Sequence, residues 1–305
     1  MRAFYADHFV LPLPPQHRFP MRKYSRLRER LLETGILNPD ELLVPEPVTD
    51  TDLLRCHHAD YLERVTQGTL TEAEQRRIGF PWSSAMVERC RRTCGGTLGA
   101  ARIALQEGIA VNLAGGTHHA TRDHGEGYCV FNDSPVAARA LQAEGRIRRA
   151  IVIDCDVHQG NGTADICTGD DSIFTFSIHG EKNFPFRKIM GDLDIGLPDG
   201  TGDDDDLAIL EVALERALYS ARADIAFYVS GADPYVGDKL GKLALSKAGL
   251  ARRDTLVYEH CHAHGLPIAV SMAGGYAANV EDIVDIHAQT VSLAKHYHQR
   301  WNQKA

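Results

Sequence analysis

Ile151-Val152-Ile153-Asp154-Cys155-Asp156-Val157-His158-Gln159-Gly160-Asn161-Gly162 is the stretch on which the rest of the chain hangs. Its first half is a run of β-branched apolar residues, the pattern of a strand buried on both faces. It ends abruptly in two aspartates and a histidine. Alternation along an extended chain predicts that Asp154, Asp156 and His158 point the same way. The bland alternative is a helix-capping aspartate and a core histidine. Three polar groups on one face of an apolar strand cost too much to bury for that alternative to lead. Aspartate oxygen and imidazole nitrogen together suit zinc or another divalent transition metal, and they discriminate poorly between zinc, ferrous iron and cobalt.

Further strand-like runs lie at 109–113, 173–178, 225–230 and 267–272, with helical patterns at 84–105, 135–144, 207–221 and 246–264. This alternation predicts an α/β fold: an open parallel sheet flanked by helices on both faces, in a single domain. Ligands of such sheets gather beyond the carboxyl ends of the strands. Four strand ends deliver polar, glycine-rich loops there: Gly115-Gly116-Thr117-His118-His119, the Asp156/His158 pair, Gly231-Ala232-Asp233 and Gly274-Gly275-Tyr276. Their convergence is a stronger signal than any one loop.

The 305 residues are 44% hydrophobic and 24% charged, enough for a large core, and the formal net charge is −8. That balance offers no basic field for nucleic acid or an anionic membrane. No run approaches the roughly 20 apolar residues that span a bilayer. The proline-rich N-terminus does not read as a signal peptide. The seven cysteines, Cys56, Cys90, Cys94, Cys129, Cys155, Cys167 and Cys261, are odd in number and form no compact framework. A reducing, cytoplasmic setting is expected. Cys90 and Cys94 read as two small hydrophobes on one helix face. Asp203–Asp206 reads as the acidic first turn of a helix, and His260, His262 and His264 as structural residues at a helix end.

A catalytic zinc site needs three protein ligands and an open position. Asp233, after a buried strand and a glycine, is the natural third beside Asp156 and His158. Such a site polarises a carbonyl and acidifies bound water. It lacks a general base, which the neighbouring pair His118-His119 can supply. Asp154 and Asn161 then act as partners, one for each histidine. A carboxylate on His118 favours its imidazolium, and a neutral amide on His119 leaves that ring free to take a proton. His119 is therefore expected as base and then acid, with His118 as an electrostatic partner. Tyr276, a phenol at the end of a Gly-Gly loop, can donate to a carbonyl oxygen as it becomes an oxyanion.

With these pieces in place the chain resembles the histone deacetylase family of metal-dependent acyl-lysine hydrolases. The resemblance rests on Gly115 to His119, Gly127-Tyr128-Cys129-Val130-Phe131-Asn132-Asp133, Asp154 to Gly162, Ser230-Gly231-Ala232-Asp233 and Gly274-Gly275-Tyr276, in family order over nearly the whole chain. His158 to Gly162 and Gly237-Asp238-Lys239-Leu240-Gly241 look most like the class IV branch and its bacterial relatives. The resemblance implies the arginase–deacetylase fold and zinc (Zn2+, with Fe2+ as the alternative) on Asp156, His158 and Asp233. It also implies a structural K+ or Na+ near Asp154, His158 and Ser177. Gly127, Tyr128, Phe184 and Leu240 match positions that line the acyl-lysine tunnel, and Gly274 and Gly275 join them as substrate-binding residues. Many relatives have phenylalanine in place of Tyr128, so this wall is more polar. Asn161 stands where class I members have aspartate, which puts proton handling from that class in doubt. The loop Gln16-His17-Arg18-Phe19-Pro20 matches a segment that borders the pocket.

The expected activity is hydrolysis of an acylated amine, foremost an Nε-acyl-lysine side chain. Three rivals stand beside it. Deacylation of small molecules such as acetylated polyamines keeps the core and changes the tunnel mouth. An arginase-like site with two manganese ions needs more bridging carboxylates than Asp154, Asp156 and Asp233 provide. A silent binding module would have lost a ligand or the phenol. Acyl-chain length and oligomeric state are not legible.

Overall fold

A computed structural model describes residues 1–11, 13–14 and 16–303. In chain order its elements are β1 (Ala3–Phe4), α1 (Arg22–Glu33), β2 (Leu42–Leu43), α2 (Asp50–Leu53), α3 (Ala59–Gln67), α4 (Glu72–Ile78), α5 (Ser84–Glu107), β3 (Ile109–Asn112) and α6 (Asp133–Ala143). Then follow β4 (Ala150–Asp154), α7 (Asn161–Cys167), β5 (Ile173–Gly180), β6 (Leu193–Leu197), α8 (Asp203–Ala221), β7 (Ile225–Ser230), α9 (Lys247–Ala263), β8 (Ile268–Met272) and α10 (Val280–Asn302). The strands form one eight-stranded sheet in the order β2-β1-β3-β8-β7-β4-β5-β6. Every neighbouring pair is parallel.

Both faces of the sheet are covered, and the strands show it residue by residue. Ile151 and Ile153 of β4, with Ala226 and Tyr228 of β7, join one core with Leu31, Leu214, Val257 and Val291. Ala150 and Val152, with Ile225, Phe227 and Val229, join the other with Val65, Leu98, Ala101 and Leu141. Each fully buried aliphatic side chain adds roughly 1.5–3 kcal/mol of transfer free energy. The sheet therefore sits as a rigid slab between two helical layers.

β4 and β7 lie side by side, but the chain leaves them in opposite directions. From β4 it passes through α7 to β5; from β7 it passes through α9 to β8. A crevice opens where the connections diverge, at the carboxyl ends of these two strands. The loops after β4 and β7 carry Asp156, His158 and Asp233.

The strands expected at 109–113, 150–154, 173–178, 225–230 and 267–272 are present, with ends shifted by up to two residues. The two-residue strands β1 and β2 and the half-exposed β6 have no apolar run long enough to reveal them. One expectation fails in its reason. Asp156 and His158 do not continue the strand, which ends at Asp154. Asp154 Oδ1 accepts from the amide of Asp156 at 3.1 Å, and Asp156 Oδ1 accepts from that of His158 at 3.0 Å. Two successive aspartate turns, not strand alternation, bring the three side chains to one place.

Candidate metal centre and active site

Asp156, His158 and Asp233 form the one His/Cys/Asp/Glu group of metal-binding geometry among the described residues, with ligand atoms all within 4.8 Å of one another. All three are buried. His158 Nδ1 lies 3.0 Å from Asp156 Oδ1 and 3.2 Å from Asp233 Oδ2. Backbone amides take the outer oxygens: Gly274 donates to Asp156 Oδ2 at 2.8 Å and Val157 to Asp233 Oδ1 at 3.0 Å. Asp233 Oδ2, fully buried, accepts no aligned hydrogen bond, because its nearest donor, His158 Nδ1, bonds to Asp156 Oδ1. Such an orphan is costly unless a ligand meets it.

The charges of the cluster point the same way. Burial and the neighbouring Asp156 push Asp233 up to about 6. Burial opposes the charge on His158, but the Asp156 and Asp233 carboxylates outweigh it and hold the ring up to about 10. The site is short of positive charge. A divalent cation on these oxygen and nitrogen donors answers the shortage, so the residues fit a metal. Gly274 is required here because a methyl group on it would overlap the carboxylate oxygens of Asp233 and Asp156.

Two histidines face this cluster from the loop after β3. Asp133, at the start of α6, holds that loop by accepting from the amides of Gly116 at 3.0 Å and Thr117 at 2.8 Å. Asn132 grips its far side through the carbonyls of His118 and Ala120. His118 Nδ1 lies 2.6 Å from Asp154 Oδ2, and His119 Nδ1 lies 2.7 Å from Asn161 Oδ1. Burial disfavours charge on both rings. On His118 the carboxylates of Asp154 and Asp156 overcome it and raise the ring to about 9. On His119 burial is reinforced by His118 and His158, and the ring falls well below the ordinary histidine value. At neutral pH one ring is a cation and its neighbour a free base.

Glu126 fixes which nitrogen of His119 is free. It accepts from Asn161 Nδ2 at 2.5 Å. A carboxylate can only accept, so the Asn161 amide nitrogen must face it and the amide oxygen must face His119. The proton of neutral His119 is thereby held on Nδ1, and Nε2 is left to take one.

Tyr276 completes the arrangement. Its ring packs 6.4 Å from that of His158 and 5.9 Å from that of Tyr128. Burial and the nearby Asp233 and Asp156 hold the phenol well above its ordinary range, so it stays a donor. Asp238 Oδ2 accepts from the Tyr276 amide at 2.5 Å, while Asp238 Oδ1 takes the amides of Leu240 and Gly241.

A cavity of about 530 Å³ leads inward past Gly127, Tyr128, Phe184 and Leu240 to His119, His158 and Tyr276. Gly127 has φ +57° and a Cβ there would come 2.6 Å from the His119 ring, so no side chain fits between this wall of the cavity and that ring. Phe19, from the segment 16–20, packs 5.1 Å from Tyr128 and lines a smaller inner space of about 50 Å³ with Gly274. Gly275 is a correction: it lines neither cavity. It turns the chain behind the wall at φ +149°, against Ile283 and Ala232. Ser177 is the register partner of Asp154, with its hydroxyl 2.9 Å from His179 Nδ1.

Asp133, Asp238 and Glu126 hold the backbone and side chains of the site and lie outside the residues that the sequence pattern marks for it. An Asn-Asp step before an apolar helical run marks the start of α6, and Gly-Asp-Lys-Leu-Gly is a turn pattern. Glu126, between two glycines, carries no comparable mark. The cysteines are all free, and those of α5, Cys90 and Cys94, have thiols pushed up by burial, as hydrophobes rather than metal ligands.

The pattern described as the histone deacetylase domain matches residues 17–291. The chain belongs to the histone deacetylase family. Deacetylase-type hydrolysis is the activity class that goes with this membership. An uncharacterized protein of Picosynechococcus sp. is 46% identical over 284 residues, covering 93% of this chain and 95% of that one. Histone deacetylase 2 of Arabidopsis thaliana is 29% identical, covering 85% of this chain and 70% of its own. The acetoin utilization protein AcuC of Staphylococcus aureus is 29% identical over 75% of this chain and 64% of its own length. For the fold, a crystal structure of a histone deacetylase homologue in complex with SAHA superposes with a TM-score of 0.84 at 24% identity, over 98% of this chain and 88% of that chain. Among the described residues no helix is long and apolar enough to cross a membrane.

Proposed function

We propose that this deacetylase hydrolyses the acyl amide of Nε-acyl-lysine with one zinc ion on Asp156, His158 and Asp233. The observation that carries the proposal is the aromatic-walled cavity ending on His119, His158 and Tyr276, beside a buried carboxylate oxygen that accepts no aligned hydrogen bond. A long, thin, uncharged acyl-lysine stem suits such a passage. When bound, the ion supplies Lewis-acid polarisation of the amide carbonyl and acidifies a water.

The chain's own residues supply the rest. Tyr276 donates to the carbonyl oxygen as negative charge gathers there. His119 takes the proton of the attacking water on Nε2. The water oxygen joins the acyl carbon, the carbon–nitrogen bond breaks, and His119 returns the proton to the leaving amine. His118 stays charged on Asp154 and stabilises the same negative charge. Tyr128 and Phe184 keep bulk water from the stem. A single three-residue cluster supports one metal per chain rather than the arginase-like pair.

The test is purified protein loaded with zinc or ferrous iron, assayed on acetyl-lysine and longer acyl-lysine peptides with metal content measured per chain. One equivalent of metal and release of free lysine are expected. Tyr276→Phe should keep the metal and lower kcat by about 10²–10³-fold, the usual cost of one oxyanion donor. Turnover at the parent rate by Tyr276→Phe, or by metal-free protein, would defeat the proposal.

A further inference from the structure

We infer that the substrate presents negative charge just outside the acylated amine; this rests on the deacylase reading and names the class of amine. The outer half of the 530 Å³ cavity is lined by Arg76, Arg77, Lys182 and Lys242, against one acid, Glu126. All four cations are exposed. Glu126 faces inward to Asn161 and serves the site. Arg76 meets Glu72, but both are largely exposed, and such a pair is weak. Among the described residues Arg77, Lys182 and Lys242 form no ion pair, and the Lys242 ammonium caps the Lys182 carbonyl at 3.2 Å. Arg18 adds a further positive charge close enough to act on Tyr128.

The chain as a whole is acidic, at net charge −8, so this positive rim runs against its average. Arg76 and Arg77 do sit in the last turn of α4, where cations are favoured by the helix dipole. Lys182 and Lys242 come from two loops elsewhere in the sequence and have no such reason. Three cations without an ion pair, and a fourth held only by an exposed glutamate, attract anions and repel cations around one opening, and clefts focus that field. A polyamine, or a lysine among further lysines and arginines, brings the wrong sign. A carboxylate-bearing acylated amine fits, either an acyl-lysine flanked by Asp and Glu in a peptide or a free acylated amino acid.

Three acetyl-lysine peptides, alike except for acidic, neutral or basic flanks, are compared with free Nε-acetyl-lysine and an acetylated polyamine. At low salt kcat/KM should favour the acidic over the basic flank by about tenfold, and 0.5 M NaCl should shrink the ratio to about twofold. Free Nε-acetyl-lysine matching the acidic peptide would assign the charge to a small substrate, and a lower rate to a peptide. In the double variant Arg77→Glu, Lys182→Glu the order of the flanks should invert, with thermal melting as the check on folding. Equal rates on all flanks, a preference for the basic peptide or polyamine, or an unchanged order in the folded double variant overturns the inference. Anisotropy with labelled peptides reads the same order without turnover. Binding of acidic peptides with no hydrolysis would leave the charge inference standing and overturn the deacylase reading.

Discussion

Two buried charge clusters lie within a few residues of each other behind the carboxyl edge of the sheet, and they are built in opposite ways. Around Arg253 everything is closed. Its guanidinium donates to the carbonyls of Cys155 and Gly231, to Ser230 Oγ and to Asp254. Asp254 in turn accepts from the hydroxyls of Tyr228 and Thr290. Around His158 the cluster is open: two carboxylates compete for one ring nitrogen, and Asp233 Oδ2 is left with that shared contact and no aligned hydrogen bond. The closed cluster also holds the open one, because Cys155 immediately precedes Asp156 and Gly231 lies two residues before Asp233. Here the cluster that satisfies itself serves the fold, and the one that leaves an oxygen short of donors suits a ligand.

The largest break in this comparison comes from Asp233→Asn. It keeps the shape and removes the charge. Metal content should fall to near zero and kcat/KM by about a thousandfold or more, since metal polarisation is worth several kcal/mol. The urea midpoint of the metal-free variant should not drop below that of the metal-free parent, because burial and Asp156 already oppose the charge on Asp233. A loss of several kcal/mol would make the open cluster structural after all.

Arg253→Met should do the reverse. It strips four acceptors and leaves the Asp254 charge buried, a change that costs about 3–5 kcal/mol. Urea denaturation measures it. Metal content per folded chain should fall much less than in Asp233→Asn. Arg253→Lys should not restore stability, since one ammonium cannot span the carbonyls of two loops as the guanidinium fork does.

The open cluster was legible in the sequence, and the closed one was not. Asp156, His158 and Asp233 are polar residues set directly after apolar runs, where cost of burial makes them conspicuous. The same holds for His118, His119 and Tyr276 after their glycines. The five long strands were legible for a related reason, since burial on both faces leaves no polar interruptions. Arg253 and Asp254 sit in mid-helix in α9, where a charged pair looks like a solvated face. Asp133, Asp238 and Glu126 act on loops far away in the chain, and nothing local tells which amide an acid will find. Even the Asp154–Asp156–His158 spacing points to the right place through aspartate turns that an alternation pattern does not describe.

Glu126→Gln sharpens the comparison at the level of one proton. A glutamine can turn its amide nitrogen toward Asn161, so the Asn161 amide can flip and His119 can lose its fixed tautomer. kcat should fall about tenfold with KM changed little, the lower end of what a misplaced general base costs. The pH profile of kcat should shift as well, which loss of packing alone would not do. A wild-type profile in a slow variant would reduce Glu126 to a structural contact.

Asp206 is the smallest test and the most direct, because it is an open carboxylate that no ligand site explains. It lies in the first turn of α8, buried, with Oδ1 unpartnered. Burial raises it from 3.8 to about 6, despite the pull of Arg253. Between those two values the folded chain keeps a proton that the unfolded chain has released. The contribution of this group to stability is therefore greatest below about pH 4 and is lost as the pH rises toward 6. Above that, the folded state carries a buried, unpaired charge. Asp206→Asn should stabilise the protein at pH 7 by about 1 kcal/mol, the removed charge being partly offset by a new unsatisfied amide and a weaker helix-dipole contact. At pH 4 the gain should vanish, because the parent side chain is then neutral too. Urea midpoints of the two proteins at both pH values decide it. A gain independent of pH would mean that Asp206 is destabilising for its shape and not its charge. An outright loss at pH 7 would mean that the charged carboxylate is stabilised in the fold and that its Oδ1 is not open.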